Sequence, residues 1–419
     1  MGIRLLVMSD DLARGDDPLE HRGEEEEGWA PGDTIVDATL AGLRRAAEEV
    51  EQIAAIAETL QRSLLSERLP EIIGLSLAAR YRAGSADAQV GGDWYDVIPL
   101  RNGRAGIAIG DVVGHGIDAA ARMAALKNAL RAYALEGLRP SVLLDRMNNF
   151  VRELEGDAMA TLLYCVVDVD ERQLRLATAG HPPPLLIDPS DEAHYAEGRA
   201  GSPLGVVAFP RYEDAIIPLE PGSVALLYTD GLIERAGTSL DAGLEWLRGF
   251  ARDAPRDPSE LCMALLNACF GSSPPADDVA LLVARIDPVD AGRIELTLRA
   301  EPESLAQMRR GVGRWLRGTG ANDTEVYELL VACGEACSNA IAHAYPPGEA
   351  SYWVDGTVRD GTEIELRVGD YGSWREPRAG SAGRGLVLIE KLVDRFEIDR
   401  GARGTVVTMA RRLNSEVAA

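Results

Sequence analysis

Five aspartates stand at the ends of short apolar runs in the first two-thirds of this chain, and they constrain its fold more than any other feature. They are Asp93 in Val90-Gly91-Gly92-Asp93-Trp94-Tyr95-Asp96, Asp111 in Ile109-Gly110-Asp111-Val112-Val113-Gly114-His115-Gly116, Asp230 in Tyr228-Thr229-Asp230-Gly231, and the pair Asp277-Asp278. A single Asp beside a Gly is ordinarily a turn residue. A set of them, each bordering a Val/Ile/Leu/Ala run, reads instead as carboxylates delivered by strand ends to one oxygen-ligand site for hard divalent cations, with Gly allowing tight backbone turns. Two such cations on shared carboxylates are the usual means of hydrolysing a phosphate ester.

Composition narrows the choices. At 419 residues the chain exceeds one ordinary core, so two or three domains are expected. A formal net charge of -24 argues against nucleic-acid binding and against attraction to anionic lipid. Cys165, Cys262, Cys269, Cys333 and Cys337 are odd in number and lie mostly in apolar runs, as buried thiols of a reducing compartment do. No run approaches the length of a membrane span, and Leu5-Leu6-Val7-Met8 is too short for a signal-peptide core, so a cytoplasmic protein is expected. The only lysines, Lys127 and Lys391, stand in neither a phosphate-binding P-loop nor a eukaryotic-type kinase context.

Residues 1–32, acidic and punctuated by Gly and Pro, read as a disordered tail. From 33 to 69, apolar residues step by four and three through Val36, Leu40, Leu43, Ala47 and Val50, then resume at Ile53, Ala57, Leu60 and Leu64 after one phase break. That pattern predicts a helix ending at Pro70, either a homodimerising coiled coil or an amphipathic helix packed on its own domain. Residues 70–287 alternate strand and helix patterns: strands at 75–81, 105–109, 161–169, 173–178, 224–228 and 279–286, and helices at 117–136, 140–155, 239–252 and 258–270. An α/β sandwich with antiparallel sheets is expected. After Asp287-Pro288, residues 290–413 predict a second α/β unit with a mixed sheet and one helical face.

The motifs just quoted, with Ala179-Gly180-His181-Pro182-Pro183, Pro203-Leu204-Gly205 and Ala276-Asp277-Asp278-Val279-Ala280, resemble in order the SpoIIE/RsbU branch of the metal-dependent (PPM) serine/threonine phosphatases. The resemblance implies a β-sandwich flanked by helices. It implies two Mn²⁺ or Mg²⁺ ions on Asp93, Asp111, Asp230 and Asp277, with Asp111 bridging and the Val112 carbonyl as a further ligand. Asp96 and Asp278 lie beside these. The substrate implied is phosphoserine or phosphothreonine on an anti-anti-sigma (STAS) protein. Distant relatives place a histidine general acid two residues after the bridging Asp. Here Val113 holds that place, and His115 and His181 read as structural.

Farther on, Glu335 and Asn339 are four apart and so share one helix face, followed by Gly369-Asp370-Tyr371-Gly372 and Gly383-Arg384-Gly385-Leu386. A Gly pair opening a helix is a phosphate seat. In this order the motifs resemble the ATP-binding (GHKL) fold of histidine kinases, gyrase and Hsp90, and more closely its anti-sigma-factor serine kinase (RsbW-type) branch. That resemblance implies Mg²⁺ on Asn339, Glu335 orienting or deprotonating a serine, Asp370 reading adenine, and Gly372, Gly383, Gly385 and Thr405 near the nucleotide. Trp374 stands where fully active relatives carry the last Gly of D-x-G-x-G. Two readings stay open: a phosphatase and kinase in one partner-switching regulator, or a phosphatase with an inactive module that only binds a sigma factor or STAS partner.

Overall fold

A computed structural model describes residues 39–45, 68–84, 91–114, 116–154, 158–234, 239–288, 290–343, 350–372, 384–401 and 404–413. The chain divides into two compact units, Met1–Gln52 and Ile53–Ala419. In the first, helix α1 covers 39–45. The expected tail, and the helix as predicted over 46–67, lie outside the described residues. Arg68 and Leu69 are not helical, so the helix stops short of 69.

The second unit begins with two five-stranded sheets. One orders β1 (Leu75–Arg82), β10 (Val279–Ile286), β9 (Val224–Tyr228), β6 (Leu185–Ile187) and β7 (Ala193–Tyr195); the other orders β2 (Asp93–Pro99), β3 (Ala105–Val112), β4 (Ala160–Asp168), β5 (Gln173–Ala179) and β8 (Ala215–Pro218). Every pairing is antiparallel. The sheets face each other across a core that includes Tyr95, Val97, Ile107, Ile109, Leu163, Leu227 and Leu282.

Because strand side chains alternate, Trp94, Ile98 and Ala108 point the other way, under α2 (Ile117–Leu135) and α3 (Pro140–Glu153). Leu226, Tyr228, Leu281 and Val283 likewise meet α4 (Leu240–Arg252) and α5 (Pro258–Phe270). The result is a helix–sheet–sheet–helix stack in which strands buried on both faces read as unbroken apolar runs. Local chemistry starts the helices. Asp257 caps α5 by accepting from the Ser259 and Glu260 amides, with Pro258 at the first helical position. The Asp214 carboxylate accepts the Ser141 amide at the start of α3.

The third sheet orders β11 (Arg293–Arg299), β12 (Ser351–Arg359), β13 (Glu363–Asp370), β15 (Gly404–Arg412) and β14 (Arg395–Gly401). It is antiparallel throughout, correcting the mixed sheet expected. A helix between strands permits a parallel crossover, but α8 (Arg384–Leu392) returns the chain to an antiparallel edge hairpin. With α6 (Ser304–Gly318) and α7 (Asp323–His343), α8 covers one face over Met308, Trp315, Leu329, Ile364, Leu366 and Ile389. The α6 helix also reaches back: Arg314 donates to the Ile73 carbonyl at 3.0 Å and pairs with Asp170 at 2.8 Å.

Candidate functional site

Asp93 opens β2 and Asp111 lies opposite it in the β2–β3 ladder. Thr161 faces Asp111 from β4. Side chains at one register position share a face, so the two carboxylates stand side by side at one end of the sandwich. The opposing sheet supplies Asp230, at the start of a 3-10 turn directly after β9, and Asp277-Asp278, directly before β10. The backbone is drawn in closely there. A side chain at Gly92 would collide with the Val112 carbonyl and approach the Asp111 carboxylate, and one at Gly231 would collide with the Asp278 carbonyl. Only Gly allows this approach.

The electrostatics carry the mark of crowded like charge. Burial first, then the charge of Asp111, pushes Asp93 well above the usual carboxylate range. Burial, then Asp230 and Asp277, raises Asp111 to about 6. Asp230 is raised by burial, then by Glu234 and Asp277. Asp93 Oδ2 is buried with no hydrogen-bond partner. Among the described residues, no three ligating groups already meet at the spacing a bound ion imposes. The case for a cation therefore rests on the donor set: hard oxygens, one of them orphaned and buried, whose mutual repulsion a divalent ion would relieve. These residues fit such an ion.

His181 was read from sequence only as structural, and its part is specific. It is buried; Nε2 lies 3.1 Å from the Tyr228 carbonyl and Nδ1 2.8 Å from Thr161 Oγ1. A carbonyl only accepts, so Nε2 carries the proton and Nδ1 accepts from the hydroxyl. The ring thereby ties the strand facing Asp111 to the strand leading into Asp230. Burial lowers its pKa to about 4, keeping it neutral. Asp96 is drawn away from the site. Its carboxylate, fully buried, accepts from Arg131 at 2.6 and 2.8 Å and lies 3.8 Å from Lys127, both on α2. Asp278 Oδ1 accepts the Gly84 amide at 2.8 Å.

In the third sheet, the start of α8 lies over the Glu335 face of α7. A side chain at Gly385 would come within 2.7 Å of Glu335 Oε2 and 3.8 Å of Asn339 Nδ2. At the end of β13, Asp370 Oδ1 accepts the amides of Gly372 (2.9 Å) and Thr405 (3.3 Å). Burial raises the Asp370 pKa and these two donors oppose it. The structure thus groups Glu335, Asn339 and Gly385, and separately Asp370, Gly372 and Thr405. The narrow approach at Gly385 and the oriented Asp370 carboxylate fit a nucleotide seat. Gly383 and Trp374 lie outside the described residues, as does His115.

The stage II sporulation protein E (SpoIIE) family matches residues 101–287, and the histidine kinase-like ATPase domain matches residues 298–411. Two family models thus match in tandem, SpoIIE first and the histidine kinase-like ATPase domain after it. The phosphoserine phosphatase RsbU of Bacillus subtilis (strain 168) is 29% identical over 197 residues, covering 47% of this chain and 57% of RsbU. The chain thus spans little more than half the length of that relative. The serine-protein kinase RsbW of the same organism is 29% identical over 147 residues, 30% of this chain and 89% of RsbW. A crystal structure of the RsbU and RsbW domains of Rv1364c from Mycobacterium tuberculosis covers 84% of this chain and 96% of that one, with 29% identity and a TM-score of 0.52.

The SpoIIE match begins after β2, so the place of Asp93 rests on the ladder with Asp111 and not on the family match. Thr161 and Thr229 escaped the sequence reading. Thr229 Oγ1 accepts the Ala280 amide at 2.8 Å, joining β9 and β10 beside Asp230 and Asp277. Its only sequence signal was its place in Tyr228-Thr229-Asp230-Gly231. No helix among the described residues is long and apolar enough to cross a membrane.

Proposed function

We propose that this chain is a partner-switching regulator with a metal-dependent phosphatase site in its SpoIIE domain. Asp93, Asp111, Asp230 and Asp277, with the Val112 carbonyl, would hold two divalent ions, Mn²⁺ or Mg²⁺, with Asp111 as the shared ligand. The substrate is a phosphoserine or phosphothreonine on a STAS-domain anti-anti-sigma protein. The observation that carries the reading is the cross-strand Asp93–Asp111 pair, pushed up in pKa by burial and neighbouring carboxylates. Bound cations supply charge neutralisation at the phosphoryl oxygens and a water acidic enough to attack phosphorus near neutral pH. The protein fixes where they sit: the ladder sets the Asp93–Asp111 register, and His181 with Thr229 holds the second sheet in step. The test is turnover of a phosphorylated STAS-domain protein by the full chain with Mn²⁺, with Asp230→Asn as control. Full activity in that variant would sink the assignment.

In the ATPase-like domain Asn339 would hold the Mg²⁺ of Mg²⁺-ATP, Asp370, Gly372, Gly383, Gly385 and Thr405 would bind the nucleotide, and Glu335 would orient or deprotonate the acceptor serine. The domain returns phosphate to the STAS serine, holds a sigma factor, or both. A second reading, a docking module without nucleotide, is favoured by Trp374 alone. Calorimetric titration of Mg²⁺-ATP into the full chain and its Asn339→Ala variant separates the two. The helix expected from residue 33, ending before Arg68, completes the proposal as a homodimer lever, and deleting residues 1–68 is expected to change both oligomeric state and phosphatase rate.

A further inference from the structure

Beside the carboxylate site runs an apolar loop that the chemistry above does not use. Leu204 bridges Ala160 at the start of β4, and Ala160 faces Val112 across the β3–β4 ladder. The loop therefore lies one strand away from the Asp111–Val112 ligands. Its outer residues are apolar and in solvent: Val206 is 56% exposed, Val207 40% and Phe209 92%. Val113, directly after the proposed ligand carbonyl, is 47% exposed and bonds through its amide to the carbonyl of Met159, the neighbour of Ala160. Scattered exposed hydrophobics need no explanation, but a contiguous set at the rim of a site does.

The loop is held in shape. Asn148 on α3, fully buried, accepts the Gly205 amide at 2.9 Å and donates to the Val207 carbonyl at 3.1 Å. Gly205 has φ +88° and packs so closely on the Ala158 carbonyl that a side chain would collide with it. A buried amide spent on presenting three apolar side chains to water is a costly arrangement unless the presented face is used. A loop held this way also loses little conformational freedom when a partner docks.

Resting on the phosphatase reading above, we propose that Val206, Val207 and Phe209, continued by Val113, are the docking surface for the phosphoprotein substrate, taking an apolar patch that flanks its phosphorylated residue. Charge dictates how this occupant must be held. The chain carries a net charge of -24, and the site beside the loop is itself built of carboxylates. Long-range attraction to a phosphate-bearing partner is therefore poor. Selective capture must come from short-range contact, and an exposed aromatic beside small aliphatics is the composition of interface anchors. Continuity with the site points to the same partner: the loop is tied through Leu204 and Ala160 to Val112, the residue after Asp111.

The experiment compares the full chain with its Phe209→Ser and Phe209→Leu variants on two substrates with Mn²⁺, a phosphorylated STAS-domain protein and p-nitrophenyl phosphate. Phe209→Ser is expected to raise KM for the phosphoprotein about 10-fold or more with kcat little changed. Phe209→Leu should recover most of that, and turnover of p-nitrophenyl phosphate should match the unsubstituted chain in both. An unchanged KM for the phosphoprotein overturns the proposal, as does an equal loss on both substrates, which would mean that the loop only shapes the site. A dimer that Phe209→Ser dissociates, with KM unchanged, would assign the face to a second copy and also overturns it. Failure of the unsubstituted chain to hydrolyse p-nitrophenyl phosphate would remove the phosphatase reading itself; activity there with an unchanged phosphoprotein KM removes only the docking surface.

Discussion

The two candidate sites handle buried acidity in opposite ways. In the SpoIIE domain, Asp93, Asp111 and Asp230 are gathered from two sheets until burial and neighbouring charge raise all three. In the ATPase-like domain, Asp370 stands with two backbone amides as donors, and Glu335 rests against the opening of α8. In the first, like charges add to the effect of burial; in the second, backbone donors oppose it. On the proposed reading, cations would relieve the first site and so raise stability as well as activity, while the second has donors in place without them.

That contrast can be broken or sharpened in order of expected effect. Asp230→Asn is expected to cost phosphatase turnover about 10³-fold, because stabilisation by the cations is worth several kcal/mol, while Mg²⁺-ATP binding stays intact. Steady-state kinetics and calorimetry on one preparation check both halves. Loss of ATP binding as well would show that the sites are not independent. The reverse substitution, Asn339→Ala, should weaken ATP binding about 100-fold or more and leave p-nitrophenyl phosphate turnover unchanged.

The next effect is on stability. The folded pKa of His181, about 4, lies below the unfolded value near 6.5. Its contribution is thus complete above pH 6.5 and is lost as pH falls toward 4, because the unfolded chain takes up a proton that the folded chain refuses. The loss amounts to about 3 kcal/mol. Denaturant unfolding between pH 7 and 4, with His181→Gln as the variant that lacks this slope, measures it. Asp111 works in the opposite sense. Its folded pKa, about 6, exceeds the unfolded one, so its contribution is complete below pH 3.8 and is lost as pH rises through 6. With chelator at pH 7, Asp111→Asn should therefore be more stable than the unsubstituted chain by about 3 kcal/mol, and with Mn²⁺ the order should reverse. If the variant is no more stable than the unsubstituted chain in chelator, the carboxylates around Asp111 do not repel one another as their burial implies.

Much of this was legible in the chain. Apolar runs and period-two stretches marked β1, β3, β4, β5, β9 and β10, because strands buried on one or both faces leave such patterns, and helical spacing marked the helices between them. The shorter β6, β7 and β8 escaped, being held by their neighbours more than by any pattern of their own. The strand opening at Asp93 was read as a motif and not as a strand, since Gly91-Gly92 and the acids Asp93 and Asp96 depress strand propensity. Asp96 shows the limit of proximity in sequence: three residues from Asp93 on a strand, it points to the opposite face and serves Arg131 and Lys127 of α2.

The sequence by itself determined which residue types could hold cations and nucleotide, and in what order the two domains run. Gly beside Asp at strand ends, and Glu335 four residues before Asn339 on a helix, are local facts of backbone geometry. Only the tertiary structure decided which carboxylates meet, that His181 and Thr229 brace the two sheets behind them, and that the third sheet is antiparallel throughout. Those outcomes depend on strand register and sheet packing between residues tens to hundreds of positions apart, and no local pattern encodes such pairings.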